Sequence, residues 1–244
     1  MSLSYAIVGY GRMGHAIDRI AESRGHRCIA RLGAEPLDAK ALGESEIAFE
    51  FTRPEAAQAN VERLLAAGRS VICGTTGWQP DASIERACRE HGVGAIVAPN
   101  FSLGMQLFYR ISAHAATLFA RLEGYEVDLH ERHHRGKRDL PSGTALRIAD
   151  RLEGIRGGPT VVGTPTEPVP PGALHVSASR SGGEPGTHTL TFDGAHDLVT
   201  MTHQARDRAL FAEGAVVAAE WLAGKVGLYT FEQVVDGLLE DRQE

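Results

Sequence analysis

Residues 5–25, YAIVGYGRMGHAIDRIAESRG, constrain this chain more than any other stretch. A short apolar run, Tyr5 to Val8, leads into glycines at 9, 11 and 14. Apolar residues then recur at helical spacing (Met13, Ala16, Ile17, Ile20, Ala21) until Gly25. A G-x-G-x-x-G spacing between a strand and a helix gives each glycine a task. Gly9 permits a tight turn, Gly11 lets the backbone approach a pyrophosphate, and Gly14 lets the helix pack close to the strand. The helix N-terminus offers amide donors and a positive dipole end to the phosphates. The spacing is weak alone. With a strand before it and a helix after it, it predicts dinucleotide binding.

The alternation continues. RCIARL and IAFEFT read as strands, and Pro54 opens the helix PEAAQANVERLLAAG. SVICGTTGW is a strand into a turn, DASIERACREHG a helix with Asp81 as N-cap, and VGAIVAPNFS a further strand into a loop. Strands separated by helices long enough to cross over predict a Rossmann-like, doubly wound parallel sheet. Ligands of such sheets bind outside the carboxyl ends of the strands, so CGTTGW and APNFS are expected to border the reactive end of the cofactor.

After about residue 103 the pattern changes. MQLFYRISAHAATLFARL is one long helix, YEVDLHERHH alternates like a strand, and another helix follows Ser142. Prolines 165, 168, 170 and 171 mark a loop. ALHVSASRSG, THTLTFDG and DLVTMTHQA are then three strands between glycine turns, expected to pair antiparallel and to be apolar enough to need cover on both faces. RALFAEGAVVAAEWLAGK and TFEQVVDGLLE close the chain as helices. The expected organisation is a dinucleotide-binding domain from 1–103 plus 209–244, and an inserted α+β domain with a mixed or antiparallel sheet at 104–208. The inserted domain is expected to bind substrate and to mediate oligomerisation.

Composition removes several alternatives. A net charge of −6 argues against a general nucleic-acid binder, which needs a cationic surface. No apolar run approaches the roughly 20 residues of a membrane span. The start, MSLSYAIVGYGRMG, reads as a strand and not as a signal peptide. Cys28, Cys73 and Cys88 are odd in number and scattered, which fits reduced thiols in a cytoplasm.

ERHHRGKRDLPSGTAL, residues 131–146, raises three possibilities. As a metal site it is poor: H-x-x-H-H on a strand puts adjacent side chains on opposite faces, and no cysteine is near. As a nucleic-acid patch it lacks interleaved aromatics. As a pocket for a small anion it is coherent. Ser142, Gly143 and Thr144 stand at a helix start with exposed amides and two hydroxyls, and Pro141 rigidifies the entry. Lys137 adds a cation and potential proton donor, and His133 or His134 titrates near neutrality and can serve as an acid. Cation, acid and anion hole together suit a dicarboxylic acid that accepts hydride. A dehydrogenase for another small amine or aldehyde, and a silent dinucleotide sensor, are the rival readings.

The pattern H-H-x-x-K-x-D-x-P-S-G-T-A resembles that of the 4-hydroxy-tetrahydrodipicolinate reductases, also called dihydrodipicolinate reductases. It is complete here as His133, His134, Lys137, Asp139, Pro141, Ser142, Gly143, Thr144 and Ala145, and Glu131 matches the family's E-x-H-H. GYGRMG, EFTRPEAA, CGTTGW, APNFSLGMQL, SRSGGEPGTHTLTF and GAVVAAEWLAGKVGLY fall in family order, so the resemblance spans nearly the whole chain. Glu50 stands where the family usually has Asp in D-F-T. The resemblance implies NAD(P)H-dependent reduction of 4-hydroxy-tetrahydrodipicolinate to tetrahydrodipicolinate with loss of water, in lysine and diaminopimelate biosynthesis. It implies His133 as general acid and Lys137 as its assistant and substrate ligand. His134, Ser142, Gly143, Thr144 and Thr76 would hold substrate. Gly9, Gly11, Arg12, Met13, Gly14, Phe51, Thr52, Gly74, Thr76, Pro99 and Phe101 would hold the cofactor. The resemblance supplies a homotetramer, while the scattered cysteines point to the cytoplasm and the histidine geometry to no metal.

The acidic residue that binds an adenosine ribose is expected about 20 residues beyond the glycines. Here that point reads ARLGAEP, with Gly33 where the acid would stand, Arg31 before it and Glu35 after it. Arg31 and Arg12 are candidates for a 2′-phosphate, so the expectation is use of both NADPH and NADH with a modest preference for NADPH.

Overall fold

The structure, a computed structural model, describes residues 2–33 and 37–240. Glu35 lies outside the described residues. In chain order the elements are β1 (Ser4–Val8), α1 (Arg12–Ser23), β2 (Arg27–Leu32), β3 (Ile47–Glu50), α2 (Pro54–Ala66), β4 (Ser70–Cys73), α3 (Ala82–His91), β5 (Gly94–Val97), α4 (Leu103–Phe119), β6 (Glu126–His133), α5 (Gly143–Arg156), β7 (Thr160–Val162), β8 (Leu174–Arg180), β9 (Thr187–Asp193), β10 (Leu198–Gln204), α6 (Ala209–Leu222), β11 (Gly227–Tyr229) and α7 (Phe231–Glu240). They form two compact units: Met1–Leu103 with Arg208–Glu244, and Gly104–Asp207.

In the first unit the strand order is β11-β5-β4-β3-β1-β2, and all pairs are parallel. Strands covered on both faces read as continuous apolar runs, and all five residues of β1 are buried. One face packs Tyr5, Ile7, Ile17, Phe49, Val216 and Val234 together, with α1, α6 and α7. The other packs Val8, Val61, Leu64, Val71 and Ile84, with α2 and α3. Helix ends follow local chemistry. Pro54 opens α2, and Asp81 accepts the Ser83 amide to cap α3. His26 joins three elements: Nδ1 accepts the Leu3 amide at 3.1 Å, and Nε2 meets Glu220 at 2.9 Å, where Arg24 also binds. The β11 strand has only three residues, too few to show a period, and sequence reasoning passed over it.

The second unit holds a mixed sheet in the order β10-β9-β6-β8-β7. This corrects the expectation that the last three strands pair with one another. β9 and β10 do pair antiparallel, but β6 lies between β9 and β8, antiparallel to the first and parallel to the second. The alternation of β6 explains its central place. Val127, Leu129, Glu131 and His133 are buried, and they need neighbours on both edges. Val127 and Leu129 join Phe108, Ile148, Leu152, Val176, Leu190 and Phe192 in one core with α4 and α5. The opposite face is polar, not apolar as expected. His130 and Arg132 lie there with Ser177, Ser179, Thr189, Thr191 and Thr202, so that face carries no apolar demand for cover. Every second residue of β6, β8 and β9 is Ser, Thr, His or charged, which the apolar fraction of a whole segment conceals.

Candidate active site

In the first unit the loops after β1, β3, β4 and β5 gather at the carboxyl edge of the sheet. The chain order reverses at β1, with β2 on one side and β3 on the other, and ligands of open parallel sheets bind at such a crevice. Contacts between the loops are tight. A Cβ on Gly9, whose φ is +94°, would lie 2.3 Å from the Phe51 carbonyl oxygen. One on Gly14 would lie 2.7 Å from the Gly9 carbonyl oxygen, and one on Gly74 would collide with the Phe51 ring. Gly11 differs: a Cβ there would meet nothing within 4 Å. Gly9, Gly14 and Gly74 therefore serve the protein's own packing, and Gly11 leaves open space above a helix N-terminus, where a pyrophosphate needs it. The loops fit a dinucleotide on that ground.

Glu50, at the end of β3, braces these loops and is fully buried. It accepts hydrogen bonds from Thr52 Oγ1, from Thr75 Oγ1 at 2.6 Å and from Asn60 at 3.1 Å, and the Cys73 thiol lies at 3.2 Å. Thr75 Oγ1 in turn accepts the Thr52 amide at 2.8 Å. Burial first, then the nearby Glu50 charge, pushes the Cys73 thiol well up, so it stays protonated. Phe51 and Thr52 are half-buried beside this brace, and Arg12, Thr76 and Pro99 are exposed, with Met13 half-buried. Phe101 is placed otherwise. Its ring packs 5.0 Å from Phe231 in the core, so its side chain is not open to a ligand.

Arg31 is not free for a phosphate. It donates to Asp18 twice and to Glu22 once, and Tyr5 and Tyr10 also donate to Asp18. Burial alone would raise the Asp18 pKa, but the bonds from Arg31, Tyr10 and Tyr5 outweigh it and hold the carboxyl low. Arg12 has no hydrogen-bond or ion-pair partner among the described residues.

In the second unit the chemistry centres on Glu131, a fully buried carboxylate. Strand parity puts it on the same face as His133, two residues on. Register brings the rest: His188 of β9 stands opposite Glu131, and Arg180 of β8 stands opposite His133. Oε1 of Glu131 accepts from the Ser142 amide and from Arg180, each at 2.7 Å. Oε2 accepts from the Ser142 hydroxyl and lies 3.1 Å from His133 Nδ1 and 3.4 Å from His188 Nε2. The His133 approach is an ion-pair contact whose angle leaves Nδ1 without an aligned hydrogen bond. Burial pushes the Glu131 pKa upward, but His133, His188, Ser142 and Arg180 outweigh it and hold the carboxyl far below the usual range. Burial lowers the His188 pKa even though Glu131 pulls it up.

Glu131, His133 and His188 are close enough to hold a metal ion. The donor set argues otherwise, because both carboxylate oxygens are already taken and the Arg180 guanidinium on Oε1 would repel a cation.

Lys137 Nζ lies 2.8 Å from Asp139 in the turn between β6 and α5. Ser142 caps α5 by accepting the Ala145 amide at 3.1 Å. Its own amide and hydroxyl are both given to Glu131, so the expected carboxylate ligand is instead a buried joint between that helix and β6. Gly143 is exposed, and Thr144 and His134 are half-buried. Sequence reasoning missed Arg180, His188 and Gly186. All three lie within SRSGGEPGTHTLTF, but only the register of β8 and β9 on β6 brings Arg180 and His188 to Glu131, and Gly186 lies against His133 Nε2.

Comparison with known proteins accords with this architecture. The family model described as "Dihydrodipicolinate reductase, N-terminus" matches residues 35–101, and "Dihydrodipicolinate reductase, C-terminus" matches 104–235. A 4-hydroxy-tetrahydrodipicolinate reductase of Christiangramia forsetii is 35% identical over 242 residues, covering 98% of this chain and 100% of the relative. One of Methanosarcina mazei is 35% identical over 217 residues, covering 85% and 81%. The dipicolinate-bound dihydrodipicolinate reductase from Paenisporosarcina sp. TG-14 has the same fold, with a TM-score of 0.77 at 20% identity over 96% of this chain and 99% of that one.

Proposed function

The chain belongs to the dihydrodipicolinate reductase family, and from that premise we propose that it reduces 4-hydroxy-tetrahydrodipicolinate to tetrahydrodipicolinate with loss of water, using NADPH or NADH. The reaction serves lysine and diaminopimelate biosynthesis. A bound nicotinamide supplies the hydride. The loops of the first unit hold the dinucleotide through Gly9, Gly11, Arg12, Met13 and Gly14, with Phe51, Thr52, Gly74, Thr76, Pro99 and the Phe101 backbone alongside.

The chain's own acid is His133, with Lys137 assisting and binding substrate. The observation that carries this is the Glu131–His133 contact at 3.1 Å, with Glu131 fully buried beneath the imidazole. The contact sets the imidazole against a fixed carboxylate, and a positioned imidazole can hand a proton to substrate. Gly143, Thr144 and His134 hold the substrate carboxylates at the α5 N-terminus, where amides and the helix dipole favour anions. Ser142 supports them by fixing the turn. No metal takes part. The enzyme works in the cytoplasm as a homotetramer, built through the second unit.

The test is a coupled assay in which the cyclic substrate is generated in place and the nicotinamide absorbance is followed with NADPH and with NADH. Turnover with neither cofactor rejects the reading.

A further inference from the structure

We propose that Glu131 is the positioning residue for the proton donor: it holds His133 with Nδ1 toward its carboxylate, so that Nε2, in a clearing left by Gly186, delivers the proton. The proposal rests on His133 being the acid. Its own support is geometric. Glu131 is the group nearest Nδ1, at 3.1 Å. Glu131 itself is held from three elements, by Arg180 on β8, His188 on β9 and Ser142 at the head of α5. On the other side of the ring, a Cβ at Gly186 would stand 2.7 Å from His133 Nε2 and 2.9 Å from Cδ2. Any larger residue would press on that nitrogen. The Gly186 carbonyl is pinned in turn by the Ala205 amide at 2.8 Å.

The proton balance is simple. Imidazolium His133 loses the Nε2 proton to the substrate atom left electron-rich by hydride addition, and becomes neutral imidazole with its remaining proton on Nδ1. Solvent restores the Nε2 proton. Glu131 stays ionised throughout, stabilising the charged ring and fixing the tautomer of the neutral one. The charged and titratable groups around the ring are Glu131, Arg180, His188, Glu184 and Lys137. Of these, Glu131 is the acceptor that contacts Nδ1.

The test combines kinetics with histidine nitrogen NMR on the full-length enzyme. Glu131→Gln should lower kcat about tenfold or more, within the range for a positioned acid. The Michaelis constants should stay within about threefold, which separates loss of proton delivery from loss of binding. In a His133→Ala background, Glu131→Gln should have no further effect on kcat, the signature of two residues acting as one unit. Gly186→Ala should reproduce the kcat loss. In the wild type, neutral His133 should carry its proton on Nδ1, a measurement that needs no variant to fold. A neutral His133 protonated on Nε2 overturns the proposal, as does Glu131→Gln with an unchanged kcat. Full activity of His133→Ala would instead reject His133 as the acid, while the nitrogen shifts still decide how Glu131 orients the ring.

Discussion

Arg31 donates its Nε to Asp18 Oδ2 at 2.6 Å and one Nη to Asp18 Oδ1 at 3.1 Å, while the same Nη reaches Glu22 at 2.7 Å. The Arg31 guanidinium is therefore neutralised from within the fold, and of the two candidate arginines Arg12 is the one with no partner among the described residues. Arg12→Ala should weaken NADPH about tenfold, equivalent to about 1.4 kcal/mol, and NADH less. Arg31→Ala should lower the melting temperature, because it leaves Asp18 short of its partner, and change NADPH affinity by less than about threefold. Titrations of both cofactors on the three proteins decide. A wild-type preference for NADH of about tenfold or more would show that an acid, such as Glu35, fills the ribose position.

The glycines of the first loop should part company on substitution. Gly9→Ala forces a Cβ against the Phe51 carbonyl at a positive φ and should destabilise the first unit by about 1–3 kcal/mol. Gly11→Ala meets no protein atom, so melting should be nearly unchanged while dinucleotide affinity falls. Equal losses of stability at both positions would mean that Gly11 guards a packing contact.

His133→Ala or Lys137→Ala should lower kcat on the order of 10²-fold, the scale of a positioned acid. His130→Ala should be mild. His130 lies on the polar face of β6, where Nδ1 meets Ser177 Oγ at 2.9 Å. Equal losses at all three would point to a shared metal, and a chelator would then abolish activity.

Acid should destabilise the second unit in two stages. Burial holds the His188 pKa below the unfolded value of about 6.5. Burial and the His188 charge do the same for His203. A group that resists protonation in the folded state makes stability fall as pH drops below that value. Glu131 acts lower. Its folded pKa is depressed, so its contribution is complete above the unfolded value of about 4.3 and drains away as pH falls beneath it. Calorimetry from pH 7 to pH 3 should show both declines. His203→Gln should flatten the first and Glu131→Gln the second, and a melting temperature constant from pH 7 to 5 contradicts the assignment.

Light scattering at micromolar concentration should give the mass of four chains. A monomer would reject the proposed assembly. The interface should then be rich in hydroxyl and imidazole contacts, given the composition of the open sheet face.

The parts of this fold that could be read from the chain are those set by near neighbours. The glycine loop, the alternation through β5 and the Asp81 cap are each decided within a dozen residues. The histidine motif was legible in the same way, because Lys137, Gly143 and Thr144 follow His133 along one turn. What escaped depended on how separate elements pack, not on spacing along the chain. The Arg31–Asp18 pairing depends on how α1 lies against β2, and the role of Ser142 depends on a carboxylate eleven residues back. The place of β6 between β8 and β9 needed the register of both, which no local period records. β7 and β11, at three residues each, are set by their neighbours and not by a pattern of their own.

The two-residue step from Glu131 to His133 has a consequence for how such a chain can change its length. A single residue inserted or deleted within β6 ahead of Glu131 would turn every later side chain over. The carboxylate and the imidazole would then face the hydroxyl-rich side, and His130 and Arg132 would enter the core. Loop lengths before residue 126 and beyond residue 134 can drift, but the eight residues of β6 cannot change in number. Among relatives that keep the chemistry, gaps should therefore cluster at the ends of this strand and be absent inside it.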